Sequence, residues 1–261
     1  MSEWNPTRSL KPTSPCALFF ATSALIVCAA QLFAGPIHEA VRNSDAELVR
    51  KLIAEGADVN EYGAPGGPPL HWASARGDAE VVAILLSNGA DPNMMKNSND
   101  VNSPLRLASE FGHLEVAKIL LDAGADPNIG ANDHRVLPLH KAAETNHPEI
   151  VALLLERDAI LEPQAGSDLD TPLHHAARSN SIEALEALID AGADINSVNG
   201  NGSTPIHVAI NFNRTGSVQR LLTLGADLTA VDKSGLTPLG LALERDRDEM
   251  AAMLRAAGAK E

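Results

Sequence analysis

One phrase recurs seven times along this chain and restricts the folds open to it. It consists of a proline, an Ile or Leu, a residue that is usually His and, two positions later, an Ala. The prolines are separated by 33 to 35 residues and define units one to seven: Pro36, Pro69, Pro104, Pro138, Pro172, Pro205 and Pro238. A fixed period of this length indicates a solenoid, because one short unit cannot bury its apolar face without a neighbour.

Each copy of the phrase predicts the start of a helix. In Thr171-Pro172 the threonine is a good N-cap, and proline is favoured at the first helical position, where its missing N–H costs nothing. A second helix is predicted from apolar residues at helical spacing, such as Ile150 and Leu154. Twenty residues after each proline, a residue suited to the left-handed conformation ends that helix. In unit four this residue is Asp158, and in the other units it is a glycine: Gly56, Gly89, Gly124, Gly192, Gly225 and Gly258.

The helix-start phrase and the run Gly89-Ala90-Asp91-Pro92-Asn93 resemble ankyrin repeats, and the resemblance covers residues 36–261. It implies an all-α ankyrin-repeat solenoid of stacked helix-turn-helix units with β-hairpin-like finger loops. It also implies that the fingers and the first helix of each unit line one concave surface, which we call the groove. In this family a histidine of the phrase bridges loop and helix backbone, and five units carry it: His38, His71, His140, His174 and His207.

Composition leaves little room for other functions. The chain has 261 residues, and the repeats occupy almost everything after residue 35, so a separate catalytic domain does not fit. The formal net charge of −14 argues against nucleic acid, which requires clustered Lys and Arg. Two explanations of this charge stay open: a surface that keeps the array soluble, or attraction of a basic partner.

The first 34 residues differ in character from the rest. Residues 16–34 carry no charge and follow a segment that contains Arg8 and Lys11, as in a secretory signal. The stretch is also long enough for an uncleaved membrane anchor. We therefore predict a signal peptide or anchor over 1–34 and an exported ankyrin repeat domain over 35–261, either periplasmic or secreted. Both cysteines, Cys16 and Cys28, lie in this leader, so the repeats contain no disulfide.

The residues that catalysis or metal binding requires are missing or have structural positions. The sequence contains no G-x-S-x-G elbow and no phosphate-binding glycine loop. His113 and His147 start second helices, and neither His134 nor His175 has partners at zinc-ligand spacing. Aspartates of the Gly-Ala-Asp phrase, such as Asp91, are predicted to accept loop N–H groups. We therefore predict no enzyme, no cofactor, no metal and no small-molecule substrate.

The few aromatic side chains outside the leader occupy positions that the ankyrin family varies and uses for contact. They are anchors for a protein partner in an otherwise polar groove, or they fill gaps between repeats. The finger over 96–102 is two residues longer than the commonest spacing, which indicates a secondary contact or a tolerated insertion. The predicted partner-binding residues are Tyr62, Trp72, Arg76, Phe111, His134, His175 and Phe212.

These features predict a monomeric, non-enzymatic binding module of seven units, with membrane contact only through an uncleaved leader. Polar residues in the first and last units, such as Arg50 and Asp248, fit solvent-facing caps and a complete array. An alternative is a secreted effector that acts on a host protein, and a third, with least support, is an enzyme with an unrecognised site. The identity of the partner cannot be read from the sequence, because ankyrin surfaces bind through shape.

Overall fold

The structure is a computed structural model that describes residues 35–63, 67–95, 102–130 and 135–260. The predicted signal or anchor over 1–34 lies outside these ranges, as do residues 96–101 of the long finger. Within the described ranges, no helix has both the length and the apolar character needed to cross a bilayer.

The described residues form seven helix pairs, one in each unit. Each first helix begins at the proline of its unit: α1 (Pro36–Arg42), α3 (Pro69–Arg76), α5 (Pro104–Glu110), α7 (Pro138–Glu144), α9 (Pro172–Ser179), α11 (Pro205–Asn211) and α13 (Pro238–Glu244). The second helices are α2 (Ala46–Ala54), α4 (Ala79–Ser87), α6 (Leu114–Asp122), α8 (Pro148–Glu156), α10 (Ile182–Asp190), α12 (Thr215–Thr223) and α14 (Asp248–Ala256). The predicted all-α solenoid is confirmed.

The prolines start the helices as the sequence predicts, and polar side chains cap them. The hydroxyls of Ser103 and Thr237 accept from the backbone N–H three residues on, at 3.2 and 3.1 Å. In units five and six the cap includes the phrase histidine: Oγ1 of Thr171 lies 2.8 Å from Nδ1 of His174. The other ring nitrogen, Nε2, lies 2.9 Å from the carbonyl oxygen of Ser203 in the next finger. The predicted bridge between helix and loop is therefore present.

Residues with positive φ end the second helices. The six glycines at the predicted positions have φ between 87° and 98°, where a side chain would be strained. Asp158 takes the same position in unit four with φ of 63°, as predicted. This conformation costs a non-glycine residue about 1 kcal/mol.

A single apolar core runs through the stack. The second helices bury one face, exemplified by Val82, Leu120 and Leu154, and the first helices bury the repeated alanine of the phrase. Each first helix packs against its own second helix and against the first helices of adjacent units. Burial therefore depends on neighbours, as a solenoid requires.

Side-chain bonds on the loop side connect successive units. Asn93 donates through Nδ2 to the carbonyl oxygen of Gly124 at 3.0 Å and accepts through Oδ1 from the backbone N–H of Asp126 at 2.7 Å. Asn60 and Asn128 make the same two bonds with the units that follow them. We call these contacts the asparagine ladder. Two residues before each ladder asparagine, an aspartate accepts that residue's backbone N–H, as predicted for the Gly-Ala-Asp phrase.

The fingers contain little regular β-structure within the described ranges. The resemblance implies β-hairpin-like fingers, and the described residues show isolated antiparallel bridges at Gly63–Gly67 and Ala165–Asp170 instead of extended strands. The second bridge is closed by reciprocal backbone bonds of 2.9 and 3.0 Å. These short turns suffice because the histidine bridges and the ladder already hold the finger bases in place.

Candidate protein-binding surface

The two phenylalanines predicted as anchors are exposed at the ends of first helices. Phe111 follows α5 and is 54% exposed, and Phe212 follows α11 and is 42% exposed. Both lie seven residues after the proline of their unit, so they occupy equivalent places on the groove. The guanidinium of Arg178 lies 4.9 Å from the ring centroid of Phe212, whereas Phe111 lies beside the ring of His113 at 6.4 Å. Large exposed rings of this kind are typical anchors for a protein partner.

Trp72 and Arg76 lie on α3, one unit before Phe111. Trp72 is half-buried and packs against the core. The Arg42 guanidinium lies 5.9 Å from the centroid of the Trp72 ring. Arg76 is exposed at the end of α3 and forms no ion pair with any described residue. It is therefore available to a carboxylate of a partner.

Tyr62 lies in the first finger and connects it to the second. Its side chain is 55% exposed, and its hydroxyl donates to the carbonyl oxygen of Met95 at 2.6 Å. The position is equivalent to Val198 and Val231 in later fingers, which are 55% and 56% exposed. His134, also predicted as a contact residue, lies outside the described residues.

The prediction of His175 as a contact residue is wrong. Its side chain is 7% exposed and lies edge-on to the ring of His140, with 5.1 Å between the ring centroids. Its Nδ1 lies 3.6 Å from the Glu144 carboxylate. The position points between adjacent first helices, and α7 supplies both of these neighbours, so the imidazole packs inside the stack.

Ion pairs that the sequence pattern does not predict cover the middle of the groove. The Lys141 ammonium lies 2.9 Å from the Glu144 carboxylate and 3.3 Å from that of Glu110, and Arg106 lies 3.6 Å from Glu110. The pKa of Glu144 falls to about 2, because the imidazole of His175 and the Lys141 ammonium stabilise the carboxylate more than burial opposes it. These charges satisfy one another, so the exposed aromatic anchors lie on either side of an internally paired stretch.

A cleft of about 210 Å³ opens between the fingers and the first helices of units five to seven. Its lining includes Asp168 and Asp232 from the fingers and Arg178 and Phe212 from the helices. We call it the C-terminal cleft. Beneath it, the carboxylate of Asp170, 2% exposed, pairs with Arg178 and accepts from Nδ2 of Asn199 at 2.7 Å. Because the buried carboxylate is paired and hydrogen-bonded, it is fixed in place.

Three phrase histidines, His140, His174 and His207, are structural and uncharged at neutral pH. Burial lowers the pKa of His140 to about 3 and also lowers the pKa of His174 and His207. Their Nε2 atoms lie 2.9 to 3.2 Å from finger carbonyl oxygens, which makes Nε2 the donor and leaves Nδ1 as acceptor. In the part of the chain that the structure describes, no three His, Cys, Asp or Glu side chains group as metal ligands would.

Comparison with known proteins agrees with this geometry. Two models of ankyrin repeats match the chain, one over residues 37–131 and 129–199 and the other over 188–242. No curated protein matches by sequence. Among solved structures, the ankyrin repeat domain of Bcl-3, an IkappaB-family protein, is 28% identical with a TM-score of 0.70 and covers 85% of this chain and 99% of its own. The human ASB11 ankyrin repeat domain is 25% identical with a TM-score of 0.77, covering 87% and 99%. Matched over most of its length, the chain belongs to the ankyrin repeat family, whose domains act as protein–protein interaction modules.

Proposed function

We propose that this chain is an exported, non-enzymatic binding module that holds a partner protein in its groove. The observation that carries the proposal is the exposure of Phe111 and Phe212 at equivalent places on an array whose other large apolar side chains mostly pack into the core. Water-exposed rings on a fixed scaffold lose little conformational freedom on binding, so they are efficient anchors. Half-buried Trp72, exposed Arg76 and exposed Tyr62 extend this surface toward the first unit.

Export rests on the leader sequence. An uncharged stretch over residues 16–34 behind Arg8 and Lys11 supports secretion, and the absence of cysteine from residues 35–261 suits any redox compartment. Fractionation of the native cell tests this step. A periplasmic pool supports a role within the cell envelope, whereas a pool in the culture medium supports the effector alternative. A pool confined to the cytosol contradicts export.

The anchor proposal is tested by site-specific photo-crosslinking in the native cell. A photoreactive residue at position 76 reports on the groove, and one at exposed Glu156 on second helix α8 serves as the control. We expect a discrete crosslinked protein from position 76 only. Replacing Trp72, Phe111 and Phe212 together with Ala should reduce its yield at least tenfold while helical content stays unchanged. Equal yields from the two positions, or an unchanged yield in the triple variant, would contradict the proposal.

A further inference from the structure

The C-terminal cleft has the size of a single side chain. At about 210 Å³ it is smaller than the roughly 300 Å³ at which pockets for drug-sized ligands begin. Its lining combines nearly buried Val208 and Leu241, the exposed ring of Phe212, and the finger carboxylates of Asp168 and Asp232. A lining that combines a few apolar side chains with carboxylates fits a side chain that has an aliphatic stem and a positively charged end.

The free charge of the cleft is negative. Arg178 is paired with buried Asp170, so it brings no unsatisfied positive charge. Asp168 accepts one amide bond, from Asn201 at 3.3 Å, and Asp232 accepts two backbone N–H groups of its own turn. Neither carboxylate forms an ion pair with any residue in the described ranges. The remaining cation of the lining is Arg245, which lies 3.9 Å from Glu244.

The backbone beside Asp168 is strained. Leu169 has φ of 52°, a left-handed conformation that costs a bulky residue about 1–2 kcal/mol. The finger is fixed there by the Ala165–Asp170 bridge and by the N–H of Gly200, which donates to the carbonyl oxygen of Asp168 at 2.6 Å. Strain of this kind persists where the surrounding structure imposes it, and it recurs at binding sites. Here it presents the Asp168 side chain at the cleft.

We propose that the C-terminal cleft binds an arginine side chain of the partner protein. Its guanidinium pairs with the carboxylates of Asp168 and Asp232 and stacks on the exposed part of the Phe212 ring. Arg178 already lies over that ring at 4.9 Å, which shows that the ring accepts a planar cation. Arginine suits the site better than lysine because its planar fork can bind carboxylates and stack simultaneously. The assignment rests on the proposed function and specifies the partner as basic, in agreement with the net charge of −14.

The test uses short probes and the purified full chain. The probe acetyl-Gly-Arg-Gly-amide is titrated by NMR against the same peptide with citrulline, a neutral isostere of arginine. We expect saturable shifts of the Asp168, Asn201 and Phe212 amide signals with a Kd of about 1 mM, as suits one desolvated side chain. The citrulline peptide should bind at least tenfold more weakly. Equal binding of the two peptides, or no saturable shift, overturns the assignment.

Matched variants separate the cleft from general electrostatics. Asp168→Asn should weaken the arginine probe at least fivefold, whereas Asp190→Asn, the same charge change on α10 outside the cleft lining, should leave it unchanged. Equal effects of the two variants overturn the assignment. The outcome is independent of the crosslinking result. If the triple aromatic variant loses its partner while Asp168→Asn binds the probe like the wild type, the proposed function stands and the arginine assignment falls.

Discussion

The loop side and the groove of this molecule follow opposite rules. On the loop side the first three joints reuse one residue: Asn60, Asn93 and Asn128 make the same pair of bonds with the next unit. In the groove, the position seven residues after the proline carries five residue types in seven units: Asn43, Arg76, Phe111, Thr145, Ser179, Phe212 and Arg245.

The difference separates stability from recognition. A side chain that joins neighbouring units must meet the same backbone groups every time, so its identity is restricted. A side chain at the exposed end of a first helix meets solvent, and its identity is left to the partner. Changes on the loop side should therefore alter the free energy of unfolding, and changes in the groove should alter binding.

The largest expected loss of stability comes from a substitution in the apolar core that runs through all units. Leu120 in α6 is fully buried, and Leu120→Ala should lower the free energy of unfolding by about 3 kcal/mol through lost burial and a cavity. The matched control is Leu114→Ala in the same helix, where the side chain is 43% exposed and the change should stay within about 0.5 kcal/mol. Urea denaturation followed by circular dichroism measures both. Similar losses from the two variants would contradict the packing described above.

Acid should lower the free energy of unfolding because buried phrase histidines resist protonation. Unfolded histidine binds a proton near pH 6.5, but burial lowers the pKa of His140 to about 3, and the pKa values of His174 and His207 are also lowered. The unfolded state therefore binds more protons, and stability falls as the pH drops below 6.5, by up to about 1.4 kcal/mol per pH unit for each histidine. We expect a total loss of about 2 kcal/mol between pH 6.5 and pH 5.5 in urea titrations.

One substitution tests whether these histidines cause the acid loss. His207→Gln removes one titrating ring. The slope of the unfolding free energy against pH should therefore fall by up to about 1.4 kcal/mol per pH unit, the amount that one proton contributes. A wild-type stability that is flat or rising toward pH 5 would show that the buried rings are not the source.

The smallest expected effect comes from a joint that lacks the ladder asparagine. In unit four the ladder residue is Glu162, whose Oε1 accepts from the N–H of Asp194 at 3.0 Å but whose carboxylate cannot donate to the next carbonyl group. Glu162→Asn restores a donor and should raise the free energy of unfolding by about 0.5 kcal/mol. Glu162→Ala removes the existing acceptor and should change stability in the opposite direction. A shift of the urea midpoint in the same direction for both variants would argue against the ladder.

Local chemistry made most of the fold predictable. Proline at a helix start, glycine at a helix end and Asp158 in the left-handed conformation each depend on a few neighbouring residues, so the sequence predicts them directly. The bridging histidines were predicted through family resemblance and are confirmed at His140, His174 and His207.

The surface was less predictable, because its contacts join residues of different units. The ladder bonds connect residues 29 to 33 positions apart, and the buried Asp170–Arg178 pair depends on how one finger folds onto a helix. His175 failed as a predicted contact for the same reason: its exposure is set by Glu144 and His140 on another helix. The sequence shows the register of such a side chain but not what covers it.

The asparagine ladder also bears on how such a chain can change length. Because the first three joints reuse the same donor and acceptor, a duplicated or deleted gene segment of one period among units one to four would arrive with matching ends on both sides. The array can then gain or lose a unit there without new hydrogen bonds having to evolve at the joint. Such an event would change the order of the unlike side chains along the groove. The repeated joints therefore reflect how the array arose, and the positions where copies differ reflect what it binds now.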